Sequence, residues 1–241
     1  MKVIKVKDYE IMSDKVCEMF IDRLQTITNP VFGLATGSTP KGLYKRLVKR
    51  YNAGDIKFDR ATFFNLDEYI GLDPSNPSSY TYYLTHKLYK HINLSPEQIN
   101  FPNGNAADLK VECERYEQKI AETGQIDLQI LGVGINGHIG FNEPGTSFNS
   151  RTGVVQLTES TLRVNSRFFG SIDEIPHRAI TMGIGTIMES KEIIMLVSGA
   201  HKADTLKRML HGKVTEDFPA SILQKHPRVT VIADEAAFGE T

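Results

Sequence analysis

The chain contains no tryptophan and only two cysteines. Cys17 and Cys113 fall far short of a disulfide framework or a zinc-binding set. No stretch approaches the ~18 consecutive apolar residues of a membrane span. An excess of charge is also missing: 28 Lys and Arg stand against 29 Asp and Glu, a formal net charge of −1. Such a balance gives no electrostatic footprint for nucleic acid. Heptads, a helix-turn-helix, basic arms, internal repeats and low-complexity tracts are absent. The opening Met-Lys-Val-Ile-Lys-Val-Lys-Asp breaks its apolar residues with charge, so no signal-peptide core is present. The expectation is a cytoplasmic globular protein with no nucleic-acid partner and no membrane partner.

The 241 residues, 40% hydrophobic and 24% charged, suffice to bury a sizeable core. No Pro/Gly/Ser linker divides them, which predicts a single domain over 1–241. Short apolar runs at 3–6, 31–35, 61–66, 128–133, 154–157, 179–182, 193–197 and 229–232 read as strands. Between them, helical spacing covers 8–24, 40–51, 79–91, 108–121, 161–168, 202–210 and 221–225. Wholly apolar strands alternating with helices indicate an α/β fold: a single doubly wound, mostly parallel sheet with helices on both faces, Rossmann-like in a modified form. In such sheets ligands bind beyond the carboxyl ends of the strands. Four of those ends carry unusual chemistry.

Thr36-Gly37-Ser38-Thr39-Pro40 follows the second strand. Pro40 suits the first helical position, and Ser38 or Thr39 the N-cap. The loop reads equally as a well-capped helix or as a phosphate cradle of hydroxyls and backbone N–H groups. It does not match a P-loop, so nucleotide hydrolysis is not supported. Asp67 follows the third strand, where apolar neighbours would raise its pKa toward a useful base; the competing reading is a cap for the turn before Gly71. Its neighbour Glu68 should point to the opposite face.

The fourth strand runs into Gly132-Val133-Gly134-Ile135-Asn136-Gly137-His138-Ile139-Gly140-Phe141-Asn142-Glu143-Pro144-Gly145. Its start matches G-x-G-x-x-G, but Gly140, Pro144 and Gly145 break the helix that a dinucleotide site requires. NAD binding is therefore rejected. The glycines instead fold the backbone around His138 and Glu143, whose separation fits an imidazole–carboxylate pair that supports a protonated ring. At the fourth end, Ser198-Gly199-Ala200-His201-Lys202 sets a lysine at a helix start, against the dipole, which an anion held there would relieve. Arg167 has no local signal beyond its aromatic neighbours. The histidines form no metal-binding spacing. The tyrosines at 80, 82 and 83 read as core and substrate wall.

Taken together, 36–40, 64–69, 132–144, 165–169 and 198–202 resemble the glucosamine-6-phosphate deaminases of the glucosamine-6-phosphate isomerase/6-phosphogluconolactonase superfamily. The run Gly137-His138-Ile139-Gly140-Phe141-Asn142-Glu143-Pro144 is the most specific part; the lactonases share the Gly-His segment but as a rule not the Phe-Asn-Glu-Pro after it. The resemblance implies a small-molecule partner, D-glucosamine 6-phosphate, converted with water to D-fructose 6-phosphate and ammonia, with no metal or organic cofactor. It implies phosphate contacts from Gly37, Ser38, Thr39, Arg167 and Lys202, ring opening by His138 supported by Glu143, and Asp67 as the base at C2. Many members of the family carry Asp where this chain has Asn136, which leaves Asn136 as a helper to ring opening. Two other functions compete with this reading: a 6-phosphogluconolactonase-like hydrolase, and a non-catalytic sugar-phosphate sensor, whose usual DNA-binding segment is not expected in this chain. Members activated by N-acetylglucosamine 6-phosphate draw an Arg and a Lys from positions that are Gly153 and Val155 here, and have a longer C-terminus. Hyperbolic kinetics and a monomer or small homo-oligomer are therefore expected.

Overall fold

A computed structural model describes residues 1–165, 169 and 174–239. The chain runs through β1 (Lys2–Val6), α1 (Tyr9–Thr26), β2 (Val31–Leu34), α2 (Lys41–Asn52), β3 (Thr62–Asn65), β4 (Asp67–Tyr69) and α3 (Tyr80–Lys87). It continues through β5 (Ile99–Asn100), α4 (Leu109–Glu122), β6 (Leu128–Gly132), β7 (Gly153–Gln156), α5 (Glu159–Asn165) and β8 (Arg178–Thr181). The last elements are α6 (Ile184–Met188), β9 (Ile193–Val197), α7 (Ala203–His211) and β10 (Val229–Asp234).

Seven strands form one sheet in the order β1-β10-β9-β6-β2-β3-β5, and every neighbouring pair in it is parallel. Alternation along the strands divides the core between the two faces. Phe32, Leu34, Phe63, Ile194 and Leu196 pack with Met12, Val16 and Phe20 of α1, Leu43 and Leu47 of α2 and Leu84 of α3. Val31, Phe64, Ile193, Met195 and Val197 pack on the other face with Tyr116 and Ile120 of α4, Ile187 of α6 and Leu206 and Met209 of α7. The helix starts are written locally: the Asp8 carboxylate accepts the Ile11 N–H at 2.9 Å, and Asp108 accepts those of Lys110 and Val111.

The expected α/β architecture is present, with one addition. The strands expected at 154–157 and 179–182 leave the large sheet: β7 and β8 pair antiparallel with each other and β8 pairs antiparallel with β4. The side chains of β7 alternate between half-buried and exposed, as a one-sided sheet requires, whereas those of β9 are all buried. Three helical expectations also change. The segment 79–91 breaks at Leu88 (φ −137°, ψ −64°) and ends as a 3-10 turn over Tyr89–His91. A 3-10 turn over Ala200–Lys202 precedes α7, and Pro219–Lys225 is 3-10 throughout. The helix expected over 161–168 is α5, and residues 166–168 lie outside the described residues.

The sheet centre is packed to its limit at Gly33. A Cβ there would lie 2.0 Å from Oε1 of Gln129, a fully buried side chain on the adjacent β6. Gly33→Ala is expected to destabilise the protein by about 1–3 kcal/mol, the usual overpacking range, and to lower Tm by several degrees. Thermal unfolding followed by circular dichroism measures it, and an unchanged Tm would mean that Gln129 yields without strain.

Candidate active site

The four chemistry-bearing segments follow β2, β3, β6 and β9, which stand side by side in the order β9-β6-β2-β3. Parallel strands place all four carboxyl ends at one edge, and the residues there line a single cleft of 1170 Å³. Gly37, Ser38, Thr39, Asp67, Asn136, His138 and Lys202 all line it. Glu143 is buried and stands behind His138.

Asp67 opens β4 rather than ending β3, opposite Thr181 of β8. Burial, reinforced by the neighbouring Glu68 charge, pushes its carboxyl well above the ordinary range. Its Oδ2 lies 3.4 Å from where a side chain at Gly140 would begin, so the glycine keeps this approach open. Glu68 turns the other way, as expected, toward the start of α3.

His138 and Glu143 stand together as their spacing suggested, but without a direct hydrogen bond. His138 Nδ1 is 3.7 Å from Glu143 Oε2, and the Asn136 amide bridges them. Asn136 Nδ2 donates to Glu143 Oε2 at 2.8 Å, and Asn136 Oδ1 meets His138 Nδ1 at 2.7 Å. A carboxylate only accepts, so it fixes the amide's orientation; the amide oxygen then requires the proton on Nδ1 and leaves Nε2 as the acceptor. Thr158 and Thr161 donate their hydroxyls to the other oxygen, Oε1. A Cβ at Gly134 would fall 2.1 Å from the imidazole, which explains a glycine there. Glu143 favours the charged ring, in the direction expected of it, but burial outweighs it and, with Lys202 pressing the same way, holds His138 below its ordinary value.

The helix start after β2 also differs from expectation. Pro40 itself takes the N-cap position of α2 and no side chain caps it, so neither Ser38 nor Thr39 is used in capping. Gly37 has φ +98°, and its carbonyl accepts the Tyr83 hydroxyl at 2.6 Å. Lys202 is the N-cap residue of α7 and donates from Nζ to the Val133 carbonyl at 2.8 Å, across to the end of β6. Ser38, Thr39 and Lys202 thus line one cleft, and their hydroxyls and ammonium are groups that can donate hydrogen bonds to an anion. Arg167 lies outside the described residues.

A family model described as glucosamine-6-phosphate isomerases/6-phosphogluconolactonase matches residues 8–232. The chain belongs to this family. It is 52% identical over 237 residues to a glucosamine-6-phosphate deaminase of Oceanobacillus iheyensis, covering 98% of this chain and 95% of that protein. It is 51% identical over 239 residues to glucosamine-6-phosphate deaminase 2 of Bacillus subtilis, covering 98% and 96%. Among solved structures, one described as a monomeric glucosamine-6-phosphate deaminase superposes with a TM-score of 0.97 at 46% identity over 100% of both chains. A 6-phosphogluconolactonase from Trypanosoma cruzi shares the fold, with a TM-score of 0.79 at 19% identity over 99% of this chain and 96% of that one.

Two supporting residues were missed in the sequence. Asp234, at the end of β10, accepts the Ser198 hydroxyl at 2.5 Å and the Gly199 N–H at 3.0 Å, fixing the loop that carries Lys202. A carboxylate at a strand end was the available signal. Thr161 of α5 gave none, because its contact with Glu143 spans 18 positions. The ring's electrostatics give a test with a definite sign. Since Glu143 favours the charged imidazole, Glu143→Gln should move the His138 titration to lower pH still. NMR titration of the ring nitrogens reads this, and a shift to higher pH would contradict the arrangement.

Proposed function

We propose that the chain converts D-glucosamine 6-phosphate and water into D-fructose 6-phosphate and ammonia, as one sugar-phosphate domain over 1–241. The observation that carries this reading is Asp67: a buried carboxyl held well above its ordinary value, in the same cleft as a histidine and a set of anion donors. The family membership and the near-full-length identity to proteins named for this reaction support the choice of substrate.

The chemistry uses each group in turn. Gly37, Ser38, Thr39 and Lys202, with Arg167, hold the phosphate, whose remote binding energy positions C1 and C2. His138, its Nδ1 proton held by Asn136, takes and returns through Nε2 the proton that must move for the pyranose to open to the aldehyde. Asp67 removes the C2 proton, giving an enolamine across C1 and C2, and returns a proton to C1. The C2 imine that results adds water and releases ammonia, leaving the ketone of fructose 6-phosphate. A carboxylate made more basic by burial suits the C2 proton, whose acidity comes only from the adjacent aldehyde. The substrate's own carbonyl and amine act as the electron sink, so the reading needs no metal or organic cofactor.

The same reading makes the protein a cytoplasmic hydrolase of amino-sugar catabolism, acting in the breakdown of N-acetylglucosamine. Among the described residues no helix is long and apolar enough to cross a membrane. A monomer or small homo-oligomer is supported by the likeness to a structure described as monomeric. Absence of activation by N-acetylglucosamine 6-phosphate is supported by Gly153 and Val155, which offer a phosphate no charge.

Incubation of the purified protein with glucosamine 6-phosphate tests the reading, with release of ammonia and fructose 6-phosphate in equal amounts expected. No release, with hydrolysis of 6-phosphogluconolactone instead, would overturn it in favour of the lactonase. Lys202→Ala should raise KM about 10–150-fold, the equivalent of one charge-assisted contact of about 1.5–3 kcal/mol. An unchanged KM would move the phosphate elsewhere.

A further inference from the structure

Glu68 is a buried carboxylate, next to Asp67, that the proposed reaction itself does not use. Its Oε1 accepts the backbone N–H groups of Tyr69 at 2.9 Å and Tyr80 at 3.0 Å. Its Oε2 accepts the hydroxyls of Ser79 at 2.8 Å and Thr81 at 2.7 Å and the Thr81 N–H at 2.8 Å. All of these partners are donors, so they are matched to a carboxylate and not to an amide. Ser79 is the N-cap of α3, and Tyr80 and Thr81 are its first residues. The strand that carries Asp67 is thereby tied to the first turn of α3.

That helix reaches both halves of the cleft. Tyr80 lines it, its ring stacked on Phe141 at 5.6 Å. Tyr83, one turn later, donates its hydroxyl to the Gly37 carbonyl in the loop with Ser38 and Thr39. We propose that Glu68 is a positioning residue that locks the start of α3, and through it the Gly37 loop, to the Asp67 strand while keeping a fixed negative charge beside Asp67. The proposal rests on the reading of Asp67 as the base.

The electrostatics agree in direction. After burial, Glu68 is the cause that raises the Asp67 carboxyl. Tyr80 of α3 and Tyr116 of α4 also feel Asp67, and burial holds both phenols well above their ordinary value, leaving them neutral. Thr181 of β8 and Asn142, which face the same approach, carry no charge. His138 and Lys202 line the same cleft.

The test is a titration of Asp67 by carbon NMR in aspartate-labelled protein, the resonance being assigned by its loss in Asp67→Asn, together with KM for glucosamine 6-phosphate. Glu68→Gln removes the charge, so the Asp67 midpoint should move to lower pH by about half a unit or more, and KM should rise severalfold as the Gly37 loop loosens. A folded Glu68→Gln protein with the wild-type midpoint, or with the wild-type KM, overturns the proposal. Should that variant not fold, Thr81→Val decides. It keeps the charge but removes a hydroxyl that offsets it, so the midpoint should move to higher pH and KM should rise; a downward or absent shift overturns the proposal. If the wild type releases no ammonia, the reading of the reaction falls, while the titration still decides the coupling of Glu68 to Asp67.

Discussion

Parallel pairing sends the carboxyl ends of β9, β6, β2 and β3 to one edge of the sheet, and everything at the cleft depends on that constraint. Each strand there is short and wholly or largely buried, so it serves as core; the chemistry-bearing residues lie in the segments that follow. Residues as distant in sequence as Ser38, Asp67, His138 and Lys202 therefore meet in one cleft. Tight packing at the sheet centre, as at Gly33 against Gln129, holds the strand ends at fixed spacing. The small antiparallel sheet contributes β4, which turns Asp67 into the cleft and Glu68 away from it.

Glu68, Glu143 and Asp67, all buried, meet the cost of desolvation in different ways, and the difference supports the separate roles proposed for them. Glu68 is surrounded by backbone and hydroxyl donors and holds a helix start. Glu143 accepts from Asn136, Thr158 and Thr161, and through Asn136 it orders the imidazole of His138. Asp67 is governed by burial and by the charge of Glu68, which raise its carboxyl well above the ordinary range. In the proposed reaction two of these groups serve as supports and Asp67 takes the proton.

Much of this was legible in the sequence where the signal was local. Short, β-branched apolar runs such as Ile193–Val197 read as buried strands, and the loops after them stand out by glycine and proline. Alternation along a strand foretold that Glu68 would turn away from Asp67. Local pattern failed where contacts are long-range. Nothing in Val154 or Ile180 marks them as partners in a separate antiparallel sheet. The five-residue spacing of His138 and Glu143 suggested an imidazole–carboxylate pair, and the two do stand 3.7 Å apart, but nothing in that spacing showed the Asn136 bridge or the burial that outweighs the carboxylate. The Asp234 contacts to Ser198 and Gly199 span about 35 positions and have no sequence spacing to read. Arg167 was named through resemblance alone and lies outside the described residues.

The central claim is that one buried carboxylate, Asp67, carries the proton between C2 and C1. Exchange of a deuterium label from C2 of glucosamine 6-phosphate, followed by NMR in wild type and in Asp67→Asn, tests it most directly. In the wild type the label should leave C2 and appear in part at C1 of the fructose 6-phosphate formed. In Asp67→Asn that transfer should vanish with turnover reduced by roughly 10²–10⁴ while the substrate still binds. Exchange at the wild-type rate in Asp67→Asn would contradict it.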